Sequence, residues 1–342
     1  METCTSTEQA LAKPGPGLLT RIVTAILVRV FDSLPAGISA KMLRPLFEQA
    51  ARAFQAGPFE KQQQQAQEHP VVRIPVAGFP DAALTFFTPK ERGPDLLPLV
   101  LWIHGGGWIS GSAAMLTLHS RVLAAHGFVV ASLDYSLAPD HCYPTPVHQA
   151  MAAMAYLNDH AHEFGGDVGR LVIGGESAGA QLSSQVGVLL TNPAYATRVG
   201  VAPPLPGHCL RGLLLYCGIY NVGSFVKTPA PLTKTLLKAY SGYRDYRSFP
   251  QLDELSTAKH VTADFPPSYI VAGDDDPIEA ESYMLDAILR AKGVSVRSRY
   301  WTGSGAGIPH AFMYSLETQA SQTVLHDTVQ FIRECTENKA GS

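Results

Sequence analysis

Cysteine is scarce in this sequence. Cys4, Cys142, Cys209, Cys217 and Cys335 are odd in number, widely spaced and form no CxxC pair. A disulfide framework or a structural zinc site is therefore not expected, and a reducing, cytoplasmic compartment fits better. Charge is also sparse, at 16% of residues with a formal net charge of -3, and the basic residues are scattered. That removes the electrostatic footprint of a nucleic-acid binder. Long hydrophobic runs are missing as well. The most apolar early stretch, LLTRIVTAILVRVF over 18–31, is interrupted by Arg21 and Arg29 and followed by Asp32. It is too short and too charged to span a bilayer, and METCTSTEQA lacks the early basic residue of a signal peptide. It reads as an amphipathic helix packed on the protein, with a weak interfacial anchor as the alternative. No internal repeat is visible.

What the chain does have is apolar material, 46% of 342 residues, enough for a sizeable core. The length suits one large α/β domain with an appendage. Residues 1–70 carry helical patterns at about 18–32 and 38–55, split by a turn at Pro35–Gly37. A polar stretch from Glu60 to Glu68 then reads as a linker or exposed helix end. From residue 71, short apolar runs alternate with helical patterns, as in strands joined by crossover helices. VVRIPVAG and ALTFFTP predict an opening hairpin. PLVLWIH, FVVASLDY, RLVIGGE, GLLLYCG, PSYIVAG and VSVRSRYW predict the sheet strands that follow, several of them apolar enough to be buried on both faces. Helices are predicted at 113–126, 145–164, 178–190, 278–292 and 316–336. The segment from Ile219 to Phe265 breaks this rhythm, and an irregular insertion of that length points to a lid over a site.

Gly175-Glu176-Ser177-Ala178-Gly179 lies between a strand and a helix, the context that a nucleophile elbow requires. His104-Gly105-Gly106-Gly107-Trp108 follows another strand, and its glycines let backbone N–H groups face a ligand. In acyl transfer such donors stabilise an oxyanion. The N–H groups of Gly105, Gly106 and Ala178 are the expected donors, with His104 structural. A base and its orienting acid must come later, in the order Ser, Asp, His. Three consecutive aspartates leave a choice between Asp276 and Asp274, which triad geometry resolves toward Asp276. No His or Cys lies near this run at ligand spacing, so no metal is expected. Of the twelve histidines, His310 alone occupies the loop position downstream that the order requires. Trp108, Tyr216, Tyr220 and Phe312 are candidates to line an apolar substrate pocket, although core packing accounts for them equally.

HGGGW, GESAG, the DPI segment, the HAF segment and Asp134–His141 (DYSLAPDH) together resemble the hormone-sensitive-lipase-like family of esterases, from about residue 71 to the C-terminus. The resemblance implies an α/β-hydrolase fold: a mostly parallel eight-stranded sheet flanked by helices, with a helical cap. That cap would comprise residues 1–70 and an insertion at about 219–265 of the catalytic domain (71–342). It also implies no cofactor and hydrolysis of a small-molecule ester with a short to medium acyl chain, without nucleic acid or stable membrane insertion, and with a homodimer allowed. Ser136 stands where the family has arginine, which implies a lost ion pair. Glu176 replaces an aspartate, and the loop GSGAGI is longer and richer in glycine than usual. Two other readings share the fold: a biosynthetic lyase, cyclase or acyltransferase using the same pocket, and a non-catalytic ligand receptor, against which the presence of His310 argues.

Overall fold

The computed structural model describes residues 28–52, 59–228 and 230–337. The start of the first helical pattern, including 18–27, lies outside them. The strands are β1 (Ala66–Glu68), β2 (Val72–Val76), β3 (Phe79–Pro89), β4 (Leu97–Ile103), β5 (Val129–Asp134), β6 (Gly166–Glu176), β7 (Leu210–Tyr216), β8 (Ser268–Ala272) and β9 (Val296–Tyr300). Their order in the sheet is β1-β3-β5-β4-β6-β7-β8-β9, with β2 also paired to β3. β3 runs antiparallel to β5, and from β5 to β9 every neighbour is parallel. All the strands predicted from apolar runs form. The expectation of eight strands is corrected to nine, because β1 arises inside the polar stretch read as a linker. β3 is long enough to pair with β2 along one half (Val72 opposite Leu84) and with β1 along the other (Glu68 opposite Phe87). The partner edge, rather than local propensity, makes β1 a strand.

The helices are α1 (Ala36–Arg52), α2 (Glu60–Gln65), α3 (Thr117–Ala125), α4 (Thr145–His160), α5 (Ala178–Thr191), α6 (Pro193–Val199), α7 (Val222–Phe225), α8 (Thr233–Ser241), α9 (Glu279–Ala291) and α10 (Gln319–Thr336). Strand alternation splits the core in two. Leu99, Leu101, Ile103, Leu171 and Ile173 face one layer together with residues of α4, α5 and α9. Val100, Trp102, Val172, Tyr216 and Tyr269 face the other, with α3 and α10. Both faces are covered, which is why these strands read as nearly continuous apolar runs. Among the described residues, no helix is long and apolar enough to cross a membrane.

Among the described residues, the irregular stretch 219–265 contains α7, α8 and three short 3-10 turns, and no strand. Polar contacts fasten it to the segment ahead of α1, and tie both α1 and the insertion to the main body. Lys238 of α8 donates to the Asp32 carbonyl at 2.6 Å. Arg44 of α1 donates to the carbonyls of Ile109 at 2.8 Å and Ala138 at 3.2 Å. Tyr143 donates to Glu254 at 2.6 Å and in turn accepts from Gln185 of α5 at 3.1 Å.

Ser136, where an ion pair was expected to be lost, is held by a different device. Gln149 of α4, fully buried, accepts from the Ser136 N–H at 2.7 Å and donates to its hydroxyl at 2.8 Å and to the Pro80 carbonyl at 2.9 Å. This ties the β5 loop to the start of β3. Replacing Gln149 by Leu removes these bonds from the half-buried Ser136 and Pro80 groups, and should cost about 1–2 kcal/mol in urea denaturation at unchanged m-value.

Candidate active site

The topology puts a crevice outside the carboxyl ends of β4 and β6, where successive crossovers diverge to opposite sides of the sheet. Two glycines close that crevice. A Cβ on Gly179 would stand 2.0 Å from the Ile103 carbonyl oxygen, and one on Gly175 would stand 2.4 Å from it. Both positions therefore tolerate only hydrogen, and β4, β6 and the first turn of α5 touch backbone to backbone. Between them Ser177 turns sharply, with φ 54° and ψ -118°, and its N–H donates to the Tyr216 carbonyl at 2.9 Å. A non-glycine residue held at such angles costs on the order of 1–3 kcal/mol and marks a functional turn.

Asp276 and His310 come from the loops after β8 and β9. His310 Nδ1 lies 3.0 Å from Asp276 Oδ1, which also accepts from the Ile278 N–H at 3.0 Å. Burial pulls the His310 ring toward its neutral form. The Asp276 charge and hydrogen bond, with Glu176 nearby, outweigh it and hold the imidazole above its ordinary 6.5. The runner-up acid, Asp274, has other work. It accepts from the N–H groups of Ile308 at 2.7 Å and Ala306 at 3.1 Å and from the Ser304 hydroxyl at 2.8 Å. The glycine-rich loop ahead of His310 is thus tethered to the segment that carries Asp276.

The HGGGW loop requires a correction. The Gly105 N–H, expected to face a ligand, donates instead to Glu176 Oε1 at 2.6 Å. The other Glu176 oxygen accepts from the Tyr314 hydroxyl, which in turn accepts from Trp102 Nε1 at 3.2 Å. Gly106 and Gly107, with φ 100° and 62°, line the cavity beyond. Among the described residues their N–H groups, and that of Ala178, donate to no protein acceptor. His104 is buried, contacts the Gly105 carbonyl at 2.8 Å and stacks on Tyr135 at 4.2 Å. The Tyr135 hydroxyl donates to the His104 carbonyl at 3.1 Å, so the residue after Asp134 braces the glycine loop.

Ser177, His310 and the glycine loop open on one cavity of about 400 Å³, walled by Phe47, Ile219, Phe225, Leu232, Leu236 and Ile278. None of Trp108, Tyr216, Tyr220 and Phe312 lines it, which corrects the expectation for all four. Tyr216 faces α10 and bonds Thr328, and Trp108 stacks on Tyr240 at 4.6 Å and donates to Gln181 at 3.2 Å. Tyr220 and Phe312 are buried in the two core layers. Strand alternation sends Tyr216 to the face of the sheet that carries α3 and α10. Apart from Ile278, ahead of α9, these walls come from α1 and the 219–265 insertion, whose irregular sequence carried no positional signal beyond the insertion itself.

With this geometry in view, a family model described as alpha/beta hydrolase fold matches residues 100–314. The chain belongs to that family, in its hormone-sensitive-lipase-like branch. It is 31% identical over 215 residues to the carboxylesterase NlhH of Mycobacterium tuberculosis, covering 59% of this chain and 63% of that one. The chain thus spans less than two thirds of that relative. It is 27% identical over 248 residues to a versiconal hemiacetal acetate esterase of Dothistroma septosporum, covering 71% and 74%. The solved structure of esterase B from Lactobacillus rhamnosis superposes with a TM-score of 0.75 at 19% identity over 93% and 97% of the two chains.

Glu176 yields a stability prediction. Burial pushes its carboxyl from the ordinary 4.5 up to about 7, against the opposing hydrogen bonds from Tyr314 and Gly105. An acid whose folded value is raised contributes stability that is complete below about 4.5 and lost as pH rises through about 7. Glu176→Gln keeps the shape without the ionisation. Its stability relative to wild type should therefore improve by about 2.5 kcal/mol between pH 5 and pH 8, read as urea midpoints. A gap that does not change with pH would refute the shift.

Proposed function

We propose that this protein is a carboxylesterase-type serine hydrolase acting on small-molecule esters of short to medium acyl chain. The observation that carries the reading is the convergence of Ser177, on its strained turn, with the His310–Asp276 pair at one apolar cavity. Similarity to a carboxylesterase and an acetate esterase supports it. His310 takes the proton from Ser177, whose oxygen attacks the ester carbonyl, while Asp276 orients the ring and stabilises the imidazolium. The N–H groups of Gly106, Gly107 and Ala178 hold the oxyanion at the N-terminus of α5. His310 then protonates the leaving alcohol, and water, deprotonated by the same ring, releases the acid. In this reading α1 and the 219–265 insertion form the cap. A reducing compartment suits Cys142, Cys209, Cys217 and Cys335, all free thiols.

A cavity of about 400 Å³ sits near the lower end of the range for small-molecule sites, roughly 300–1,000 Å³. Hydrolysis of p-nitrophenyl esters should therefore peak at short to medium chains and fall at dodecanoyl. Ser177→Ala should remove it down to a residual of about 10³–10⁴-fold over water at most. The base must be neutral to act, so kcat/KM should fall as pH drops through a value above 6.5, the direction in which Asp276 moves His310. Folded wild type without activity toward any chain length would overturn the reading.

A further inference from the structure

The spacing of residues in sequence argued against a metal at the Asp274–Asp276 run because no histidine or cysteine lies near it. The fold brings in one of each. Cys217, at the end of β7, is fully buried and held at φ 40°, and its N–H donates to the Val271 carbonyl at 2.8 Å. A left-handed backbone at a residue with a Cβ is a constrained feature that the surroundings impose. The Cys217 sulfur, a carboxylate oxygen of Asp276 and a ring nitrogen of His310 lie within 4.8 Å of one another, and no other such trio occurs among the described residues. The Asp276 side chain is fully buried, at 0% exposure; its Oδ1 is engaged by His310 and Ile278, and the Cys217 thiol lies against the same carboxylate. A buried carboxylate flanked by a thiol and an imidazole is a donor set that suits a cation; burial and the Asp276 charge hold the Cys217 thiol well above its ordinary value, so without an ion the sulfur keeps its proton.

We propose that Cys217, Asp276 and His310 form a site for a thiophilic divalent cation of the Zn²⁺ or Cd²⁺ type, and that its occupancy switches off the hydrolysis proposed above. Sulfur, nitrogen and oxygen donors together suit tetrahedral Zn²⁺, whose bonds of roughly 2.0–2.3 Å place its ligands nearer together than they stand here. The needed contraction falls to His310, which is partly exposed and follows a loop with three exposed glycines, Gly303, Gly305 and Gly307. The cavity side supplies a water for the fourth position. On binding, the Cys217 thiol loses its proton to solvent. The His310 ring proton moves from Nδ1, which coordinates the ion, to Nε2. One proton is released per cation, and Nε2 no longer has a lone pair with which to accept the proton of Ser177.

The binding claim is tested apart from activity, in the full chain carrying Ser177→Ala. Titration with Cd²⁺ should produce one equivalent of thiolate-to-metal ultraviolet absorption. Adding Cys217→Ser or Cys217→Ala should abolish that band, and adding His310→Ala should weaken Cd²⁺ binding at least about tenfold. In the chain with Ser177 intact, Zn²⁺ should suppress p-nitrophenyl ester hydrolysis and EDTA should restore it. Cys217→Ser, measured against its own metal-free rate, should need at least about tenfold more Zn²⁺. Absence of the Cd²⁺ band, or its persistence without Cys217, would overturn the site. Equal Zn²⁺ sensitivity with and without Cys217 would overturn the inhibition. If no ester is cleaved at all, the Cd²⁺ titration still decides the site, so the two readings fail separately.

Discussion

The rest of the site depends on one steric constraint, the backbone contact of β4, β6 and α5 at Gly175 and Gly179. With less than 2.5 Å between the Ile103 oxygen and either hypothetical Cβ, these segments can approach only where both residues lack side chains. That approach forces the intervening chain into the sharp turn at Ser177 and sets the first N–H groups of α5 beside the glycine loop that follows β4. It also brings the Glu176 side chain within reach of the Gly105 N–H. The proposed nucleophile, the helix terminus and the glycine loop are therefore positioned by one event of packing rather than by three independent ones, and strain at Ser177 is sustained because everything around it is over-determined.

The second organising feature is the unequal treatment of two carboxyl groups near one imidazole. Asp276 bonds His310 directly and holds the ring toward its charged form. Glu176 is so deeply buried that its own carboxyl is driven up to about 7, and its two oxygens serve Gly105 and Tyr314 instead. Splitting the environments of paired acids is how a site assigns separate roles to chemically similar groups. Here one acid orients the proposed base, while the other fixes the loop that presents the proposed oxyanion donors. The longer side chain of glutamate is what spans from the elbow to Gly105.

Much of this was legible in the sequence, and what was not has a physical cause. The strands after residue 71 declared themselves because both faces of the sheet are covered, leaving continuous apolar runs. Ser177, His310 and the aspartate run followed from order along the chain, which the parallel topology enforces by placing successive loops at one end of the sheet, whereas Asp276 was taken over Asp274 on triad geometry, and it is Asp276 that bonds His310. The Gly105 N–H was misassigned because its partner lies 71 residues away and is a side chain whose reach no local pattern encodes. β1 was invisible because its pairing belongs to the edge of β3 rather than to its own Ala-Gln-Glu residues. The four aromatic residues were placed in the pocket by proximity to motifs, yet the alternation of Tyr216 and the stacking of Trp108 on Tyr240 turn them into the core.

The cavity therefore divides by origin. Its reactive floor comes from loops at strand ends, fixed by backbone contacts that tolerate almost no substitution. Its apolar walls come from α1, α7 and α8, where Phe47, Phe225, Leu232 and Leu236 project from segments of irregular pattern. Those segments are not loosely attached, since Arg44 and the Tyr143–Glu254 pair bond them to the body and Lys238 bonds α8 to the Asp32 carbonyl ahead of α1. The anchors are polar and lie away from the reacting atoms, whereas the wall residues are apolar and touch the substrate space. Wall residues can be exchanged for larger or smaller apolar ones without unpairing any buried polar group, so the shape of the cavity is separable from the chemistry proposed at its floor.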